Sequence, residues 1–132
     1  MVKFRKYTLS TGRIVHGGRD AENNDELVVY AKCGETLLHT VAAGSRFVII
    51  GEKPMKKEIS EAAVFCAKHS QDWRDNKRDI MVNVFLRADM KKGIFRRKVG
   101  TWNVKKSEKI KVKKADILSF ERSFPNVPKN KK

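Results

Sequence analysis

The chain is poor in the residues that several protein classes require. Its 132 residues hold two cysteines, Cys33 and Cys66, and three prolines. Two thiols so far apart make no disulfide framework, and residues 1–6 lack the apolar core of a secretory signal. A reduced, cytoplasmic protein is expected. Long hydrophobic runs are missing too: the strongest, Phe47-Val48-Ile49-Ile50, is far below the roughly 18–20 residues of a bilayer-spanning helix, so no membrane partner is expected. Catalytic and cofactor signatures are equally scarce. There is no Gly-Lys-Ser/Thr phosphate loop and no nucleophile elbow, and Cys66 with His69 forms a donor pair without a matching second pair. No catalytic residue, metal or cofactor is expected.

Acids are the most telling shortage. Thirty Lys and Arg face fifteen Asp and Glu, a formal charge of +15. Self-repulsion on this scale opposes folding. It makes sense if a polyanion neutralises the surplus and releases condensed counterions, and nucleic acid is the usual such partner. The plainer alternative is a surplus that only supports solubility. From residue 91 onward Lys91, Lys92, Arg96, Arg97, Lys98, Lys105, Lys106, Lys109, Lys111, Lys113, Lys114 and Arg122 are opposed only by Glu108, Asp116 and Glu121.

The length suits one domain. Periodicity predicts an α+β fold: a mixed or mainly antiparallel sheet, one long helix, and one or two short helices packed on it, over residues 1–124. Residues 125–132, with Pro125, Pro128 and three lysines, read as a basic, mobile tail. A hairpin is expected over residues 4–16, turning at Ser10-Thr11-Gly12. Asn23 or Asn24 caps a short helix that Gly34 closes. Residues 36–41 and 46–51 are strands, and Ser60 starts the clearest helix, with Ile59 and Val64 as a staple and Ala62, Ala63, Cys66 and Trp73 facing inward. Residues 80–86 form a buried, central strand. Strands follow near 100–104 and 109–113, the latter with Ile110 and Val112 inward and Lys109, Lys111 and Lys113 outward. Residues 117–124 end the domain as a short helix or extended segment.

Gly17-Gly18-Arg19-Asp20-Ala21-Glu22-Asn23-Asn24-Asp25 resembles the opening of the NFACT-R family. Three further stretches follow in that family's order: His39 before Gly44 and Val48-Ile49-Ile50, then Ser60-Glu61-Ala62-Ala63 through Trp73, then Gly100-Thr101-Trp102-Asn103-Val104. The resemblance covers most of the chain. It implies an RNA-binding module, found at the end of multi-domain proteins that act on stalled large ribosomal subunits and also as small stand-alone proteins, as this chain looks to be. It implies ribosomal RNA or tRNA as partner, with ribosomal proteins a further option and DNA left open. Val41 and Ala43 depart from the acid and histidine often found there in long relatives, which puts a polar site at that loop in doubt.

For RNA contact, the candidates are Arg19, whose guanidinium can fork onto phosphate beside the paired glycines, His39, Arg46, the basic run above from Lys91 to Lys113, and Trp102 as a stacking platform. Gly17, Gly18, Asp20, Asn24, Gly44 and Gly100 read as structural. Each has a bland alternative: Asp20 as a helix cap, His39 as a satisfied structural ring, Trp102 as core, the lysines as a solvated face. Arg46 and Phe47 fall on opposite sides of a strand, so one of them is core. Two other functions remain open: an electrostatic scaffold on an acidic or ribosomal protein surface, and a nucleic-acid-processing enzyme using Asp20, Asp25 and His39.

Overall fold

The computed structural model describes residues 4–42, 45–91 and 103–123. The fold is α+β. A six-stranded antiparallel sheet runs in the order β1 (Arg5–Thr8), β2 (Ile14–Gly17), β4 (Val48–Glu52), β3 (Glu35–Thr40), β5 (Ile80–Leu86), β8 (Glu108–Val112). The first hairpin pairs β1 (Arg5–Thr8) with β2 (Ile14–Gly17), and Gly12 takes φ +94° in its turn. Next come α1 (Ala21–Tyr30), β3 (Glu35–Thr40) and β4 (Val48–Glu52). The helices α2 (Lys56–Lys68) and α3 (Gln71–Asn76) precede β5 (Ile80–Leu86). A two-stranded ribbon of β6 (Met90–Lys91) and β7 (Asn103–Val104), then β8 (Glu108–Val112) and α4 (Lys114–Ser123), complete the described residues.

Each sheet face has its own core. On one side Val15, Leu38, Val48, Ile50, Ile80, Val82 and Val112 meet Ala62, Ala63, Phe65 and Cys66 of α2, Trp73 of α3, and Ile117 and Phe120 of α4. On the other, Leu37, Phe47, Ile49 and Phe85 meet Leu27 and Val28 of the short helix α1 and Ala31 at its C-terminal cap. That second cover is partial. Beyond it the strip toward β8 is open, with Val41 and Met81 46% and 37% exposed.

Several boundaries differ from expectation for identifiable reasons. The long helix starts at Lys56, not Ser60, because the Glu58 carboxylate accepts the Met55 N–H at 2.9 Å and satisfies the first turn. Ile59 and Val64 therefore both lie inside the helix and staple nothing. Trp73 belongs to a separate helix: the chain turns at His69, and Ser70 accepts the Trp73 N–H at 3.2 Å to cap α3. Asp20, rather than an asparagine, caps α1, accepting from the Asn23 N–H at 2.8 Å, and the helix stops at Ala31, short of Gly34. Val28, Val29 and Tyr30 are helical despite their strand preference; burial of Val28 outweighs propensity. β5 is interior, next to the edge strand β8. The final helix begins at Lys114, where Asp79 accepts the Lys114 N–H at 2.8 Å.

Candidate nucleic-acid interface

All the strands alternate in direction, so one end of the sheet gathers the starts of β1, β4 and β5 and the ends of β2, β3 and β8. The glycine motif is built there. Asn24 is 3% exposed, and its side-chain oxygen accepts the Phe47 N–H at 2.8 Å, while the Gly18 N–H donates to the Phe47 carbonyl at 3.1 Å. A Cβ on Gly18 would sit 2.5 Å from that same Asn24 oxygen, so no other residue fits. Asn23 accepts the Arg19 N–H at 2.9 Å. The motif thus welds the β2–α1 loop to the entry of β4 and holds Arg19 and Arg46 as parts of one rigid end. Gly17 is buried, opposite Arg5 on β1.

Arg5 is the residue that ties this end together, and composition alone did not point to it. Tyr7 of the same strand stacks on Phe65 at 5.2 Å, so by alternation Arg5 also faces α2. Phe65 touches the ring of His69 at 5.0 Å, and the Cys66 thiol donates to the Arg46 carbonyl at 3.8 Å. Arg5 and Arg46 therefore converge over the α2–α3 junction, with Arg74 and Lys68 beside it. Burial lowers the Arg5 pKa, and Arg46, Arg74 and Arg19 push it the same way. His69 is pushed down to about 3, first by burial and then by Arg5, Lys68 and Arg74. The guanidinium groups stay charged and raise one another's energy. Among the described residues no carboxylate pairs with Arg5, Arg46 or Arg74, although Arg74 donates to Gln71 at 2.9 Å. An anion placed among them relieves that repulsion.

The second element of the site is β8. Val112 is buried and Ile110 half-buried against the α2 side, which turns Lys109 and Lys111 onto the open strip of the other face. Lys105, Lys106 and Lys113 are exposed as well. In register, His39, Asn83 and Lys109 form one row across β3, β5 and β8, and Met81 stands beside Lys111. Same-face lysines on such a strand are spaced about 6.7 Å apart, giving a regular line of cations.

His39 packs its ring 4.5 Å from Phe47, with Nδ1 2.7 Å from the Thr40 carbonyl. Burial lowers its pKa, which the Thr40 and Ser45 backbone partly offsets, so it is a neutral ring at the inner margin of the strip. Phe47 is core and Arg46 half-buried on the opposite side. Asp20 is a helix cap and Asn24 a backbone clamp. Lys92, Arg96, Arg97, Lys98, Gly100, Trp102 and Gly44, with the expected tail at 125–132, lie outside the described residues; Lys91 is placed by its backbone only, in β6. Cys66 is a core thiol pushed up to about 12 by burial, the opposite of a metal-binding thiolate. Sequence patterning does not mark Arg5, Arg74 or Lys68 as site residues. The hairpin register carries the signal for Arg5; Arg74 lies in the polar stretch that follows Trp73.

Residues 3–106 match the family described as the NFACT protein RNA binding domain. The chain belongs to that family. It is accordingly an RNA-binding module by family. Its fold is similar to that in the structure of the C-terminal of the fibronectin/fibrinogen-binding protein from Streptococcus suis, with a TM-score of 0.76 and 23% identity over 89% of this chain. The chain spans 48% of that protein's determined chain, and a likeness at this identity speaks for the fold alone. No curated protein matches the sequence significantly. Among the described residues no helix is long and apolar enough to cross a membrane.

Proposed function

We propose that this chain is a non-catalytic module that holds the sugar-phosphate backbone of ribosomal RNA or tRNA, serving translation or ribosome-associated quality control in the cytoplasm. The convergence of Arg5, Arg19, Arg46 and Arg74 supports this reading above all. Planar guanidiniums fork onto phosphate oxygens, and those on a rigid loop-and-helix junction lose little entropy on doing so. The β8 lysines extend the contact as point charges along the strand. His39 is neutral and sits next to Asn83 in register, which suits hydrogen bonding to a sugar or base edge rather than charge pairing.

Titration with a ribosomal RNA fragment, a tRNA and a matched single-stranded DNA tests the proposal. If about six to ten phosphates are engaged, affinity for RNA falls by roughly three to five powers of ten between about 50 and 200 mM salt. A salt-independent isotherm sinks it. Ribosome association that survives ribonuclease treatment would instead favour docking on a ribosomal protein.

A further inference from the structure

The outer face of α1 joins apolar and acidic side chains, in a chain whose net charge is +15. Helical spacing turns Leu27, Val28 and Ala31 toward the sheet and sets Asp25, Glu26, Val29 and Tyr30 on the solvent side. Val29 and Tyr30 are 71% and 65% exposed, so neither serves the core. Nor do they help the helix, since β-branched and aromatic residues cost helix stability. Phe4 leans on Tyr30 at a ring separation of 5.6 Å, and together with the two acids these side chains line a shallow hollow of about 420 Å³. The helix contains Glu22, Asp25 and Glu26 and no basic residue.

An apolar floor beside carboxylates repels an RNA backbone. It suits a partner that brings an apolar side chain and a cation. Arg87 meets α1 from beneath, its Nε donating to the Val28 carbonyl at 2.8 Å, and charge farther off is screened over about 8 Å at physiological ionic strength. We propose that Phe4, Val29 and Tyr30, flanked by Asp25 and Glu26, dock a basic segment of another protein that carries an apolar anchor. This surface lies on the opposite sheet face from Arg5, so the module can hold RNA on one face and a basic protein on the other.

Two short synthetic peptides test this, each with a Leu-Trp pair, one flanked by Lys and Arg and the other by Glu and Asp, titrated into the isotopically labelled full chain. The basic peptide is expected to shift the NMR signals of Phe4, Val29 and Tyr30, and the acidic one to leave them still. The double variant V29S/Y30S weakens the basic peptide by roughly tenfold or more. It keeps the folded spectrum and the RNA affinity of the parent chain. D25N/E26Q weakens the peptide less and flattens its salt dependence. Absence of shifts, equal response to the acidic peptide, or shifts centred elsewhere overturns the proposal. Loss of RNA affinity in V29S/Y30S would make Tyr30 a base-stacking group instead. Concentration-dependent broadening of the same signals without peptide would assign the patch to a second copy of the chain. Either result refutes the basic-protein reading without touching the arginine site, whose failure would appear in the RNA titration alone.

Discussion

The first hairpin carries an arginine near each of its ends. Arg13, by the turn, donates to the Ile50 carbonyl at 3.0 Å and pairs with Glu58 at 3.1 Å, and Glu58 also accepts from the Thr11 hydroxyl at 2.7 Å. Nearby, Glu61 accepts from the Ser10 N–H at 2.9 Å and hydroxyl at 2.6 Å, fastening the turn to α2. Arg5, on the far side of the same hairpin, has arginines for neighbours instead. Among the described residues one arginine has its charge balanced by a carboxylate and the other does not. Burial alone does not separate a structural cation from a candidate ligand-facing one; the sign of what surrounds it does.

The largest expected effect tests the unbalanced end. Replacing Arg5, Arg46 and Arg74 together with alanine lowers RNA affinity by roughly a hundredfold or more at low salt and reduces the salt slope by about two to three. The melting temperature holds or rises, because mutual repulsion is removed. A triple variant that binds RNA normally, or unfolds, breaks the comparison.

Arg13→Ala is the mirror experiment. Its loss strands a Glu58 that is 4% exposed and lowers the midpoint of denaturant titration. RNA affinity measured where the variant is still folded stays as it was. A binding defect in Arg13→Ala with normal stability would erase the distinction.

This contrast explains what could be read in the sequence. The hairpin, the alternation of Ile110 and Val112 against the lysines of β8, and the inner face Ala62, Ala63 and Cys66 depend on local periodicity, and the structure has all of them. The glycine-and-asparagine motif was legible as a motif, while its physical purpose, Asn24 reaching the backbone of Phe47, needed the third dimension. Arg5 and Arg74 were invisible for the same reason: one meets the other only because the chain turns at His69 and Ser70, a break whose cap works across three residues inside an otherwise helical pattern. Lysine-rich stretches announce themselves in composition. A candidate site assembled from single arginines on four separate segments does not.

The smallest effect sharpens the comparison through pH. Glu58 is held below the usual carboxylate value by the Met55 N–H first and then Thr11, and Glu61 by the Ser10 hydroxyl. Both contribute stability above about pH 4.5 that is lost as pH falls through their lowered values. His69 acts earlier: the unfolded chain takes up a proton below about 6.5 that the folded chain refuses until about 3, so stability declines with acid across that interval. Thermal melts should show a loss below pH 6.5 that steepens below 4.5; His69→Gln removes part of the first loss, and His39 and His16, whose pKa values burial also lowers, carry the rest. A flat profile to pH 4 contradicts the assignment.

The lysines of β8 have one more consequence. β8 is an outermost strand of the sheet, and an unpaired ladder of N–H and C=O groups is an invitation for another chain to add itself. Lys109 and Lys111 make such stacking between copies unfavourable. Acetylating them, or mutating them to neutral residues, should therefore weaken the guard against self-association along with the proposed grip on phosphate. On that proposal the same side chains keep the protein apart from itself until a polyanion arrives.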